Sequence, residues 1–198
     1  MPEEMADTTK KAAAALEAAE IPYLLGGGLG CWAHGGPPST NDVDFFILPE
    51  DAERALEAME KARLRTEDPP EQWLVKAWDG DILIDLIFGP AGLEMSDEVF
   101  ARGQVIGLFG MDLQVMALDD ILVTKLMALD EHSLDLSQLL LIARALRENI
   151  DWRSIEERTA ESPYARPFFA LIEALELDRV APAESANRQG SPDRQQAP

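Results

Sequence analysis

Two clusters of chain breakers lie close together near the start of this sequence, Gly26-Gly27-Gly28 and Gly35-Gly36-Pro37-Pro38. Glycine frees the backbone and proline removes a helical donor, so the chain between them has room only for a short helix. The pattern predicts a short strand over 23–25, a helix over 29–34 and a buried strand over 43–48. It excludes a long helical crossover directly after the glycines, which a parallel βαβ unit would need. The run Gly28-Leu29-Gly30-Cys31-Trp32-Ala33 does satisfy G-x-G-x-x-A, with Glu50 about 20 residues further on, as in dinucleotide-binding sites. That reading fails on context, because the helix is broken within one turn of Ala33.

The rest of the chain reads as strands first and helices later. A helix over 7–20 is expected, with Asp7 or Thr8 as its N-cap and Pro22 just beyond its end. Pro49, Glu50 and Asp51 open a helix that reaches about residue 65. Residues 73–78 and 82–88 read as a hairpin around Asp79-Gly80, and 104–109 with 111–115 as two strands around Gly110. Helices follow over 118–129, 134–149, 151–161 and 165–176. The expected fold is α+β: a mixed β sheet flanked by helices, then a C-terminal helical bundle. The expected division is a catalytic domain over 1–116, a helical region over 117–180 and a disordered tail over 181–198. The tail is Pro, Gln, Ser, Asn and Arg with almost no large apolar side chain to offset its ordering entropy.

Composition narrows the setting. A chain of 198 residues can bury a core without disulfides, and the single cysteine, Cys31, excludes a disulfide framework and a four-cysteine zinc site. No apolar run approaches the ~20 residues of a membrane span. The first thirty residues lack a basic segment followed by an apolar one, so no secretory leader is expected. A reducing, cytoplasmic setting follows as the expectation. The formal net charge is −20, and residues 1–140 hold 27 acids against 9 bases. Such a chain has no broad electrostatic grip on nucleic acid.

Against this background three carboxylates stand out. Asp42 and Asp44 flank Val43 at the mouth of an apolar strand, and strand alternation points both to one face. Asp85 sits inside the apolar run 82–88, where a lone ionised carboxylate would cost several kcal/mol unless paired or metal-bound. Any one of them could be a turn cap or a partnered edge-strand charge. Together they form an oxygen cage suited to Mg²⁺, a hard ion that keeps positions open for phosphate and water. Two such ions ~4 Å apart stabilise attacking and leaving oxygens in displacement at phosphorus.

The order Leu25-Gly26-Gly27-Gly28, short helix, Asp42-Val43-Asp44, with Asp85 as third carboxylate, resembles the signature of the polymerase-β-like nucleotidyltransferase superfamily. Downstream, residues 116–129 around Lys125, followed by Asp135, resemble the later motifs of the AbiEii and MenT-type nucleotidyltransferase toxins. The resemblance covers roughly residues 20 to 145 of the chain. It departs at Gly27-Gly28, where many relatives carry Gly-Ser. It implies an enzyme that moves a nucleoside monophosphate from an NTP to an acceptor hydroxyl and releases pyrophosphate. Asp42, Asp44 and Asp85 would be the catalytic metal ligands, with Mg²⁺ as cofactor. Gly27 and Gly28 would bracket the triphosphate, Lys125 would contact its phosphates, and Asp135 would help position the site. The toxin branch implies a tRNA 3′ end as acceptor and an antitoxin partner that phosphorylates Thr40, two residues before Asp42. A phosphate there would put about −2 beside the carboxylates.

The residues admit plainer readings as well. Lys125 fits a snorkelling lysine of an amphipathic helix. Asp135 fits a helix-start charge, and Ser39 and Thr40 fit turn hydroxyls that cap the strand entry. Lys76 and Arg102 are weaker candidates for substrate phosphates. His34 and His132 lack ligand spacing, and the four tryptophans read as core first. Arg144, Arg147, Arg153, Arg158 and Arg166 could line an RNA path, but interleaved acids favour a solvated, salt-bridged face. Two further functions remain open: transfer to a cationic antibiotic such as an aminoglycoside or lincosamide, which the acidic surface suits, and a non-catalytic binding module on the same fold.

Overall fold

The structure, a computed structural model, describes residues 3–39 and 42–178. Seven strands form one sheet: β1 (Leu24–Leu25), β2 (Asp42–Phe46), β3 (Arg65–Glu67), β4 (Leu74–Asp79), β5 (Ile82–Ile87), β6 (Gln104–Leu108) and β7 (Met111–Val115). Their order is β3-β4-β5-β2-β1-β7-β6. β2 runs parallel to β5 and β1 parallel to β7, while the remaining neighbours are antiparallel. The helices are α1 (Glu3–Ala18), α2 (Gly27–Ala33), α3 (Ala52–Lys61), α4 (Asp97–Arg102), α5 (Leu118–Met127), α6 (Ser137–Leu146), α7 (Trp152–Arg158) and α8 (Arg166–Ala174). The expected mixed sheet with flanking helices is what forms.

Strand alternation divides the core in two. Val43, Phe45 and Ile47 join Val75, Ala77, Ile84 and Leu86 on one face, packed with Leu16 of α1 and Met59 of α3. The other face carries Phe46, Leu74 and Ile87 against Val99 of α4, Ile121 and Leu122 of α5, and Ile142, Ile155 and Phe168 of the later helices. The C-terminal helices therefore share a core with the sheet. Asp42, Asp44 and Asp85 follow the phase of Phe46 and Ile87, so they lie on this second face, one or two residue pairs beyond its apolar packing.

Several boundaries differ from expectation. α1 begins at Glu3, so Asp7 and Thr8 do not cap it; Thr8 and Thr9 are buried within it. Thr9 Oγ1 donates to the Met5 carbonyl at 2.7 Å, and Asp7 instead pairs with Lys10 at 2.6 Å. Met5 is in phase with Ala12 and Leu16, so the apolar face extends one turn earlier than the capping residues suggest. The helix expected from Pro49 starts as a 3₁₀ turn, Pro49–Asp51, and α3 ends at Lys61, which frees 65–67 for β3. α6 starts at Ser137, with the Asp135 carboxylate accepting from the Ser137 N–H at 2.8 Å. The tail expected over 181–198 lies outside the described residues. Among the described residues, no helix is long and apolar enough to cross a membrane.

Candidate active site

The parallel pairing of β2 with β5 sets Asp44 directly beside Asp85 and Asp42 beside Leu83. Both strands are internal to the sheet, which excludes an edge-strand role for these charges. One carboxylate oxygen from each of Asp42, Asp44 and Asp85 lies within 4.8 Å of the others. Like charges this close disfavour ionisation. Burial pushes the Asp44 carboxyl up to about 7, and the neighbouring Asp42 adds to the rise. Burial raises the Asp85 carboxyl too, although Lys76 opposes it. Asp85 Oδ1 is buried and has no hydrogen-bond partner. An orphaned buried oxygen beside two more carboxylates, with no nitrogen or sulfur donor in the set, fits a hard divalent cation.

The glycine turn is built onto the same centre. Gly26 N–H donates to the Asp44 carbonyl at 2.9 Å, and the Gly28 N–H donates to the Asp44 carboxylate. Gly27 has φ +54°, and a Cβ there would fall 2.9 Å from Asp44 Cβ and inside its carboxylate. Only glycine fits this position, for conformation and for space alike. Beside the turn lies a cavity of about 130 Å³ lined by Gly28, Cys31, Pro38, Ser39, Asp42 and Lys125, among others. Lys125 is half-buried and has no ion-pair partner within 4 Å among the described residues. Its ammonium acts electrostatically on Asp44 and on Cys31. Burial pushes the Cys31 thiol up to about 11, so it lines the cavity as a neutral group.

The sequence-derived candidates thus divide. Asp42, Asp44, Asp85, Gly27, Gly28 and Lys125 converge on one centre. Asp135 is fully exposed, does not line the cavity, and holds the start of α6. Thr40 lies outside the described residues. Arg102 is committed elsewhere: its Nε and Nη2 both reach Asp120 Oδ2 at 2.9 Å. Trp32 stacks on Phe109, and His34 Nε2 meets the Met116 carbonyl at 2.8 Å. Lys76 lies directly opposite Asp85 in the β4–β5 register. The two-residue turn is Gly80-Asp81, with Asp79 joined to Ile82; a turn at Asp79-Gly80, as the sequence suggests, would have set Lys76 opposite Leu83 instead. Ser39 and Gln138, which also line the cavity, carry no sequence signal of a site.

Such a sheet, with a carboxylate centre fed by a glycine turn, belongs to the enzymes that transfer nucleotidyl groups. The model of the family described as "Nucleotidyl transferase of unknown function (DUF2204)" matches residues 5–166, and the chain belongs to that family. No curated protein matches it. Among solved structures, the antibiotic-resistance factor ANT(2'')-Ia is similar with TM-score 0.62 at 16% identity, over 89% of this chain and 98% of that one. The same factor in complex with adenylyl-2''-tobramycin gives 0.51 at 17% identity, over 87% and 94%. The lincosamide antibiotic adenylyltransferase LnuA, lincomycin-bound, gives 0.50 at 11% identity, over 72% and 94%. At these identities the likeness is one of fold.

Proposed function

We propose that this enzyme transfers a nucleoside monophosphate from an NTP to an acceptor hydroxyl, with a tRNA 3′ end as the acceptor. The observation that carries the chemistry is the convergence of three carboxylate oxygens within 4.8 Å of one another, beside the glycine turn. Asp42, Asp44 and Asp85 would hold Mg²⁺, which when bound supplies charge neutralisation at the phosphates and a more acidic acceptor hydroxyl. The backbone of Gly27 and Gly28 brackets the triphosphate, and Lys125 offsets its negative charge from across the cavity. The Asp85 carboxylate takes the proton of the acceptor hydroxyl. The acceptor oxygen bonds to the α-phosphorus, the α–β bridging bond breaks, and pyrophosphate leaves.

The acceptor assignment rests on the resemblance of the Lys125 segment to the toxin branch, which also supports a cytoplasmic setting. Thr40 is then the site at which a partner antitoxin silences the enzyme by phosphorylation. A second reading has the same chemistry with an antibiotic acceptor. It is supported by the solved neighbours, which include one in complex with adenylyl-2''-tobramycin and one bound to lincomycin, and by the net charge of −20. Incubation with each labelled NTP, Mg²⁺ and either total tRNA or a panel of aminoglycosides and lincosamides separates them. Label on tRNA, lost in Asp44→Ala, is the expected result. Label on a drug and none on tRNA overturns the acceptor, and no transfer to either overturns the reading. Intact mass after co-expression with a neighbouring gene product tests Thr40; an unmodified chain counts against it.

A further inference from the structure

Gly28 poses a question that its backbone does not answer. Its φ is not in the left-handed region, unlike that of Gly27, so its conformation is open to any residue. What bars a side chain is space. A Cβ on Gly28 would lie 2.8 Å from Ser39 Cβ and inside the van der Waals sphere of Ser39 Oγ. The Ser39 hydroxymethyl group therefore stands where a residue-28 side chain would be. It is held there by a stiff approach: Pro37 and Pro38 fix two φ angles, and Gly36 N–H donates to the Cys31 carbonyl at 2.9 Å. Ser39 is half-buried and lines the cavity with Asp42 and Lys125.

The geometry points to Ser39 as a triphosphate-binding residue, its Oγ donating to a phosphate oxygen lodged between Gly28 and Lys125. A hydroxyl can donate or accept, and beside the Lys125 ammonium the group it best serves is an anion. The assignment rests on the nucleotidyl-transfer reading, and its test separates the two. Inorganic tripolyphosphate with Mg²⁺ serves as a probe that needs neither the right base nor an acceptor. Titration calorimetry on the full chain is expected to show binding that Ser39→Ala weakens roughly tenfold at unchanged melting temperature. In turnover the same variant raises the KM for NTP more than it lowers kcat. The exchange Gly28→Ser with Ser39→Gly returns a hydroxyl to the same corner and is expected to recover most of the affinity that Ser39→Gly alone loses. Equal binding by Ser39→Ala and wild type overturns the role of Ser39 and leaves nucleotidyl transfer standing. So does a folded exchange variant no better than Ser39→Gly. A wild type that binds no Mg²⁺–tripolyphosphate overturns the transfer reading, and this assignment with it.

Discussion

Asp44 is the residue at which stability and function pull apart. Its carboxyl is pushed up to about 7 by burial and by Asp42. A carboxyl whose folded value exceeds its unfolded value of about 4 takes up a proton on folding. The stability this contributes is complete below about pH 4 and is lost as pH rises through the folded value. Without divalent ions the melting temperature should therefore fall across this window, and added Mg²⁺ should restore more at about pH 8 than at about pH 5. Melting curves at both pH values check it; an Mg²⁺ effect independent of pH would refute it. Asp44→Asn should melt higher than wild type at neutral pH without metal, yet lose more than roughly a hundredfold in kcat, since even outer-shell partners are worth that much. Gly27→Ala should lose both properties, because φ +54° and the Asp44 contact penalise it together. We expect a loss of more than about 2 kcal/mol in urea unfolding. These roles were open to sequence reasoning because an ionisable group in an apolar strand, or a triple glycine, has few cheap explanations. Ser39 was not, because a serine before a strand has many, and only the three-dimensional approach to Gly28 distinguishes it.

At the scale of elements, the strands were legible wherever they were buried on one face or both. β2 and β5 are runs of apolar residues with a single phase, whereas the β4–β5 register is two residues from the one expected, because the turn is Gly80-Asp81 and not Asp79-Gly80. β3 was not legible: Arg65-Thr66-Glu67 is a polar edge strand, formed because β4 offers it a partner. α4 is only six residues, too short for a helical period to show. What fixes α4 in place is Asp120, 1% exposed on α5, which binds Arg102 of α4 at 2.9 Å and Arg158 of α7 at 2.5 Å. One buried carboxylate thus joins three helices around the segment that presents Lys125. Asp120→Ala removes both ion pairs at once, but Arg102 and Arg158 are 45% and 31% exposed and stay solvated, so it should destabilise the fold by roughly 1–3 kcal/mol. Arg102→Ala should cost less, because Arg158 remains and Arg102 is 45% exposed. Urea unfolding of both variants checks the ranking, and equal losses would refute it by showing that Arg158 alone does not hold the hub once Arg102 is gone.

For the whole molecule, the net charge of −20 constrains how the proposed RNA acceptor would be held. Two of the C-terminal arginines do little to reverse it, since Arg153 pairs with Glu157 at 3.0 Å and Arg158 with Asp120. If the acceptor is RNA as proposed, an enzyme so charged has no broad grip on a duplex, and its contacts would be confined to the end that enters the carboxylate centre. Proteins with six to ten phosphate contacts lose roughly 10³- to 10⁵-fold in affinity between about 50 and 200 mM salt. One or two contacts to a single-stranded end would raise the acceptor KM only about three- to sevenfold over the same range. An acceptor-stem minihelix ending in the same 3′ nucleotides should then serve nearly as well as intact tRNA. Steady-state kinetics on both substrates at several salt concentrations decide it. A steep salt dependence together with a poor minihelix would mean that the enzyme reads the body of the tRNA. A flat dependence with an active minihelix would place recognition at the tip, as the role proposed for Asp85 at the acceptor hydroxyl requires.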